Sequence, residues 1–354
     1  MSTSMLDRLV AATLYEGYIL YPYRPSSVKN QVRWTFGGVH PRAWSEASGG
    51  TDPWFVLTEC LLRSGDDASV AIHVRFLQLV TRTVARLDPP SASLDSGAAA
   101  RLEDVEELRV AGITHRSWEE ATELDIDCGR HDIAALLDRE VVVERSYTDD
   151  CDMEPLVDDH GLVAGALIRD RQALDVEVSV EAERLAADLA RVRVVVRNTG
   201  AFKLTGERDR DRALCHSLIS THAILTVEQG EWLSLADPPA DAAEVASACR
   251  NTGLWPVLVG EPGTTDTVLA SPIILEDHAQ VAPESSGDLF DATEIDEILS
   301  LRILALTDDE KAEMRAADAR SRALLDRTEA LSGEDLMRMH GTIREIHPAT
   351  RDRR

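Results

Sequence analysis

Apolar and polar residues alternate with a period of two along much of the chain. The clearest runs are Val176-Glu-Val-Ser-Val180 and Val192-Arg-Val-Val-Val-Arg197, the second closed by the turn Asn198-Thr-Gly200. This period sends successive side chains to opposite faces of a strand, so both segments predict half-buried β-strands. Within residues 69–86, Val70, Ile72, Val74 and Phe76 alternate with Ala71, His73 and Arg75, and residues 58–62 share that character. Gly65-Asp66-Asp67 predicts a turn between the two. Residues 223–227 and 232–235 flank Glu228-Gln-Gly-Glu231 and predict a hairpin. Residues 257–260 and 272–275 add two more strands. Two helices interrupt the pattern. One begins near Asp209 and puts Leu214 and Leu218 on one face, and the other covers roughly residues 240–249.

Towards the end the period changes. Ile295, Ile298, Leu299, Leu301 and Leu304 recur near helical spacing. Thr307-Asp-Asp-Glu310 is a capping box, in which the Thr hydroxyl serves the third helical amide and the Glu reaches back. Ser332-Gly-Glu-Asp335 starts a last helix lined by Leu336, Met339, His340 and Ile343. Residues 88–100 are small and Pro-containing with no apolar period, and predict a linker or long loop. The expected organisation is an N-terminal β-rich region over 1–87, that linker, a central β-rich domain over 101–285, and an acidic loop and helical segment over 286–354. The fold class is α+β and β-rich, with sandwich-like or mixed antiparallel sheets and a helical C-terminal segment.

Charge narrows the partners. The net charge of −26 repels phosphate backbones and anionic membrane surfaces, so nucleic acid is not expected as a partner. No stretch reaches the roughly 20 apolar residues of a membrane-spanning helix. The first residues lack the apolar core and cleavage site of a secretory signal. Five widely spaced cysteines, Cys60, Cys128, Cys151, Cys215 and Cys249, fit reduced thiols in a cytoplasm better than a disulfide framework. A soluble, cytoplasmic protein is the expectation.

No P-loop, Gly-x-Gly-x-x-Gly, His-Glu-x-x-His, Gly-x-Ser-x-Gly or Cys-x-x-Cys occurs. Cys128-Gly-Arg-His131 has the spacing of half a metal site but no second paired motif, so no metal or other cofactor is expected. The aromatic residues carry the stronger signal. Four of the five tyrosines lie at positions 15, 18, 21 and 23. The stretch 17–45 holds Arg24, Lys29, Arg33 and Arg42 and no acid. Packing of these aromatics into a β core is the ordinary explanation. Tyr, Trp and Arg also dominate binding hot spots, which makes Tyr18, Tyr21, Tyr23, Arg24, Arg33 and Trp34 a candidate partner surface. Asp288, Leu289, Phe290 and Asp291 form an acidic, apolar-centred strip that suits docking, or covering the basic segment.

Several stretches resemble a known family. They are Leu14-Tyr-Glu-Gly-Tyr-Ile-Leu-Tyr-Pro-Tyr-Arg-Pro25, Arg33-Trp-Thr-Phe-Gly-Gly38, Thr58-Glu-Cys60, Cys249-Arg-Asn-Thr-Gly-Leu-Trp-Pro-Val-Leu-Val-Gly260 and Ser271-Pro-Ile-Ile-Leu275, followed by the acidic run 282–299. Together they resemble a bacterial accessory-protein family associated with operons for high-affinity, actinobacterial-type nickel–iron hydrogenases. The resemblance covers most of the chain, least at 88–100 and 149–193, and carries no catalytic residues with it. It implies an accessory, assembly or maturation factor that binds a hydrogenase subunit or another maturation protein. The alternatives are a metal-dependent, hydrolase-like enzyme with scattered Cys, His and Asp ligands, and a structural subunit of a larger complex.

Overall fold

The computed structural model describes residues 5–16, 36–206, 209–279, 300–317 and 319–334. Strand accounts for 49% and helix for 23% of the described residues, so the fold is α+β and β-rich. The helices among the described residues include α1 (Met5–Tyr15), α2 (Arg42–Ala47), α3 (Ser96–Ala99), α4 (Ile133–Asp138), α5 (Asp209–Cys215), α6 (Ala243–Ser247), α7 (Asp308–Ala317) and α8 (Ala319–Glu329). The strands run from β1 (Phe55–Ser91), β2 (Leu102–Val105), β3 (Glu107–Val110), β4 (Ile113–Arg116) and β5 (Trp118–Asp132) to β6 (Val141–Tyr147), β7 (Asp150–Val157) and β8 (Val163–Arg171). They continue with β9 (Leu174–Ala186), β10 (Leu189–Asn198), β11 (Ile219–Leu233), β12 (Trp255–Leu258) and β13 (Thr267–Ser271).

The 37-residue β1 organises one large antiparallel sheet. On one edge it pairs with β11 and then β8; on the other it pairs in turn with β10, β5 and β2. Because β10 and β5 follow one another on the same edge, the sheet must bend between them. It bends at the register shift between Ser64 and Ser69. The turn expected at Gly65-Asp66-Asp67 is therefore a bulge within a continuing strand, exposed at its tip. The hairpin expected at 223–235 is likewise one strand, β11, whose Gln229 at φ 61° lies opposite that bulge. Both segments of β11 pair with β1 in the same direction, which a hairpin cannot do. Residues 272–275 follow the last strand, Thr267–Ser271, and are not themselves a strand.

Burial follows the alternation. Val192, Val194 and Val196 of β10 and Val176, Val178 and Val180 of β9 face the main core, with Val70, Ile72, Val74 and Phe76 of β1 and Ile126 of β5. The Phe76 ring meets that of Tyr147 edge-on at 6.1 Å, so strands on the two sides of the bend pack against each other. On the sheet's other face α1 buries Leu9 and Val10 against Ile224, Val257 and Leu269. Sequence periodicity had not singled out this helix. The region 88–100 holds the end of β1 and α3, whose Ala98 is buried beside Leu87 and Val163. All five strands that pair with β1 follow the boundary expected there, so β1 shares one sheet with the central region.

The capping box forms as expected. The Thr307 hydroxyl accepts from the Glu310 amide at 3.3 Å, and the Glu310 carboxylate accepts from the Thr307 amide at 2.8 Å. At the other end of α7, Arg82 is almost fully buried and donates to the carbonyls of Ala316 (3.0 Å) and Ala317 (2.6 Å). These are orphan acceptors at the negative end of the helix dipole. Replacing Thr307 by Ala is expected to cost about 1 kcal/mol of helix stability. Amide exchange should accelerate in α7 while amides of β9 and β10 stay unchanged; equal acceleration in both would show that the helix does not open locally.

Candidate functional site

Three segments singled out in the sequence, within 33–38, 249–260 and 271–275, meet at one corner of the sheet. Gly37, at φ +55°, turns the chain so that the Ser220 amide donates to the Phe36 carbonyl (2.9 Å) and the Thr221 amide to that of Gly37 (3.1 Å). A Cβ on Gly37 would stand 2.5 Å from Cβ of Pro272, so only glycine permits this approach. Ser271, the residue before Pro272, is the register partner of Trp255. Gly253, at φ +71°, lets the segment before β12 lie along β1: Leu57 and Thr252 exchange both backbone hydrogen bonds, at 2.9 and 2.8 Å. A Cβ there would meet Val56 at 2.8 Å.

Beneath this corner lies a buried polar knot. Glu59 is fully buried on β1. Its register partner on β10 is Arg193, whose own partner on β9 is Glu181. Arg193 Nε donates to Oε1 of Glu59 at 2.7 Å, its Nη2 forms an ion-pair contact with the same oxygen at 2.6 Å, and its Nη1 pairs with Glu181 at 2.7 Å. The other Glu59 oxygen accepts from the Arg250 amide at 2.7 Å, with Arg191 Nη1 at 3.7 Å. Asn251 Oδ1 accepts from the Thr58 hydroxyl (2.9 Å) and the Glu59 amide (3.1 Å). Every charge has its counterpart, which is what permits a carboxylate at that depth. The sequence signal was an acid inside an otherwise apolar and hydroxylic strand run, Val56-Leu-Thr-Glu-Cys-Leu-Leu62.

The surface above is apolar. Phe36 is 54% exposed, Trp255 40% and Ile274 77%. All three lie within two residues of a direct contact with the Ser271–Pro272 step. Three large apolar side chains from distant segments thus stay exposed near one glycine-dependent backbone corner, and exposed aromatic and aliphatic groups have the chemistry of a protein contact.

The other candidates separate. Tyr18, Tyr21, Tyr23, Arg24, Arg33 and Trp34, and the strip Asp288, Leu289, Phe290 and Asp291, lie outside the described residues. Cys128 and His131 point apart. The thiol is buried in the main core, while the imidazole Nε2 donates to the Cys128 carbonyl at 2.8 Å. Among the described residues no group of three His, Cys, Asp or Glu is placed to hold a metal ion. All five cysteines are free. Burial pushes the Cys60 thiol up to about 12 and those of Cys128 and Cys249 up to about 11, so these three are protonated and weakly nucleophilic at neutral pH. No helix among the described residues is long and apolar enough to cross a membrane. The chain matches no protein-family model, and no curated protein matches it.

Proposed function

We propose that this protein is a partner-binding factor whose contact surface is the corner formed by Phe36, Trp255 and Ile274. Within the resemblance described above, it is an accessory factor for assembly or maturation of a nickel–iron hydrogenase, and the partner is a hydrogenase subunit or another maturation protein. One observation supports the reading: three exposed apolar side chains come from the stretches 33–38, 249–260 and 271–275, whose backbones approach one another at the Ser271–Pro272 step. Aromatic and aliphatic anchors of this kind supply most of the binding energy at protein interfaces, with truncation of a hot spot costing about 2 kcal/mol or more.

The test is a Trp255→Ala, Ile274→Asp double variant expressed in the native host. Both side chains are exposed, so thermal unfolding should stay near that of the parent. Recovery of the hydrogenase subunit on the tagged protein and hydrogenase activity in the cells should each fall at least about tenfold. Parental activity from a folded double variant would refute the assignment of this corner. Parental activity from a strain lacking the protein altogether would refute the hydrogenase role itself.

A further inference from the structure

A second site lies away from that corner. Between α7, α8 and the surface of β1, β5 and β8 there is a cavity of about 750 Å³, with the β3–β4 hairpin on one side. That volume is within the usual range for a small-molecule site. Its charged walls are unusual in a chain of net charge −26, because arginine outnumbers carboxylate. Glu120 joins Arg82 (2.8 Å) to Arg169 (2.9 Å), and Glu154 takes the other arm of Arg169 (2.8 Å), so those four charges balance. Arg315 is balanced from outside the cavity by Asp326 and Glu329 of α8.

Arg322 has no such counterpart. Its Nε donates to the Arg315 carbonyl at 3.0 Å, and among the described residues it forms no ion pair, which leaves its terminal nitrogens without a protein partner at the exposed rim of the cavity. The side chain of His115, half-buried on β4, makes no hydrogen bond among the described residues. Burial and then Arg82 hold its imidazole below the ordinary value of 6.5, against the pull of Glu154, which leaves a neutral ring with one N–H to donate. The rest of the wall is apolar: Ile113, Ala121, Leu167, Ala312 and Ala316.

We infer that this cavity binds a monoanionic organic acid, a carboxylate on an apolar body, with Arg322 as the charge partner and His115 as a second donor. The guanidinium fork matches a planar carboxylate. A dianion such as a phosphate monoester is disfavoured, because Glu120 and Glu154 share the walls and one surplus positive charge offsets only one negative.

Calorimetric titration of the full chain tests this with octanoate, 1-octanol and octyl phosphate as probes. Octanoate is expected to bind with a Kd on the order of 0.1 mM and to shift the His115 imidazole signals in the NMR spectrum. The alcohol, lacking charge, should bind at least about tenfold more weakly, and octyl phosphate no more tightly than octanoate. Arg322→Gln, at an exposed position, and Ile113→Glu, on the exposed hairpin, should each weaken octanoate at least about tenfold with unfolding temperature unchanged. The assignment is overturned if octanoate gives no binding at about 10 mM. It is equally overturned if either folded variant binds octanoate like the parent, if the His115 signals stay fixed, if 1-octanol matches octanoate, or if octyl phosphate binds more tightly.

Discussion

Arg193→Met is expected to destabilise the protein by about 3 kcal/mol. The substitution leaves Glu59 fully buried and strips the hydrogen bond from Nε and the ion-pair contact from Nη2. Removing one partner of a buried ion pair costs about 3–5 kcal/mol, because the remaining charge is neither hydrated nor paired. The lower end applies here: the Arg250 amide stays at 2.7 Å and Arg191 Nη1 at 3.7 Å, and both still favour the carboxylate. Methionine matches the aliphatic stem of the arginine, so lost packing contributes little. The double variant Glu59→Leu, Arg193→Met removes both charges and should be the more stable of the two by about 1 kcal/mol or more. Urea unfolding of the three proteins decides. A single variant within about 0.5 kcal/mol of the parent would mean that the pair is not what holds β1 to β10 at this corner.

The second large effect depends on pH. His222 is fully buried on β11; its Nδ1 donates to the Ser220 carbonyl at 2.7 Å, and Nε2 lies 2.9 Å from the Thr13 hydroxyl of α1. Burial lowers its pKa from the ordinary 6.5 to about 4, with Arg75 adding to the fall and the Ser220 carbonyl opposing it. The unfolded chain therefore takes up this proton near pH 6.5 and the folded chain only near pH 4. Above about pH 6.5 the group has no effect on stability. Below it the unfolded state holds more protons, and stability falls by about 1.4 kcal/mol per pH unit until the folded site itself titrates. Going from about pH 8 to about pH 5, the parent should lose about 2 kcal/mol more than a His222→Asn variant, whose side chain cannot take the proton. The variant starts from lower stability, since it leaves Thr13 without that contact, so the comparison is of slopes. Parallel pH profiles would show that His222 protonates without resisting burial, and α1 would then be held to the sheet mainly by Leu9, Val10 and Leu14.

How much of this was legible beforehand can be argued from particular residues. The strands around Val176–Val180 and Val192–Arg197 were readable because a two-residue period is a local property, and the core takes the valine face of both. The ladder on the opposite face was not. Glu59 and Arg193 are 134 residues apart, and nothing within either segment says that they are register partners. The corner shows the same limit in another form. The stretches holding Phe36, Trp255 and Ile274 were singled out by resemblance, yet which of their apolar side chains would stay exposed follows only from where the chain folds around them. Cys128 and His131 have the spacing of half a metal site, but spacing alone does not say where the two side chains go. The backbone instead sends one side chain into the core and ties the other to a carbonyl.

By itself the sequence determined the β-rich class, the strand character of the alternating runs, the start of α7 at its capping box, and the strong negative charge. Each of these depends on neighbours a few residues away, through side-chain period, capping hydrogen bonds or simple composition. Only the tertiary structure decided that 65–68 and 229 are facing irregularities in two long strands, that Glu59 is paired across the sheet, and that a cavity whose Arg322 has no ion pair among the described residues lies under the C-terminal helices. The physical reason is that Gly, Asp and Gln at a turn-like site fit a bulge as well as a reversal. The choice goes to whichever path keeps both flanking segments hydrogen-bonded to β1 and their apolar faces in the core, an advantage summed over many distant contacts rather than carried by the turn residues themselves.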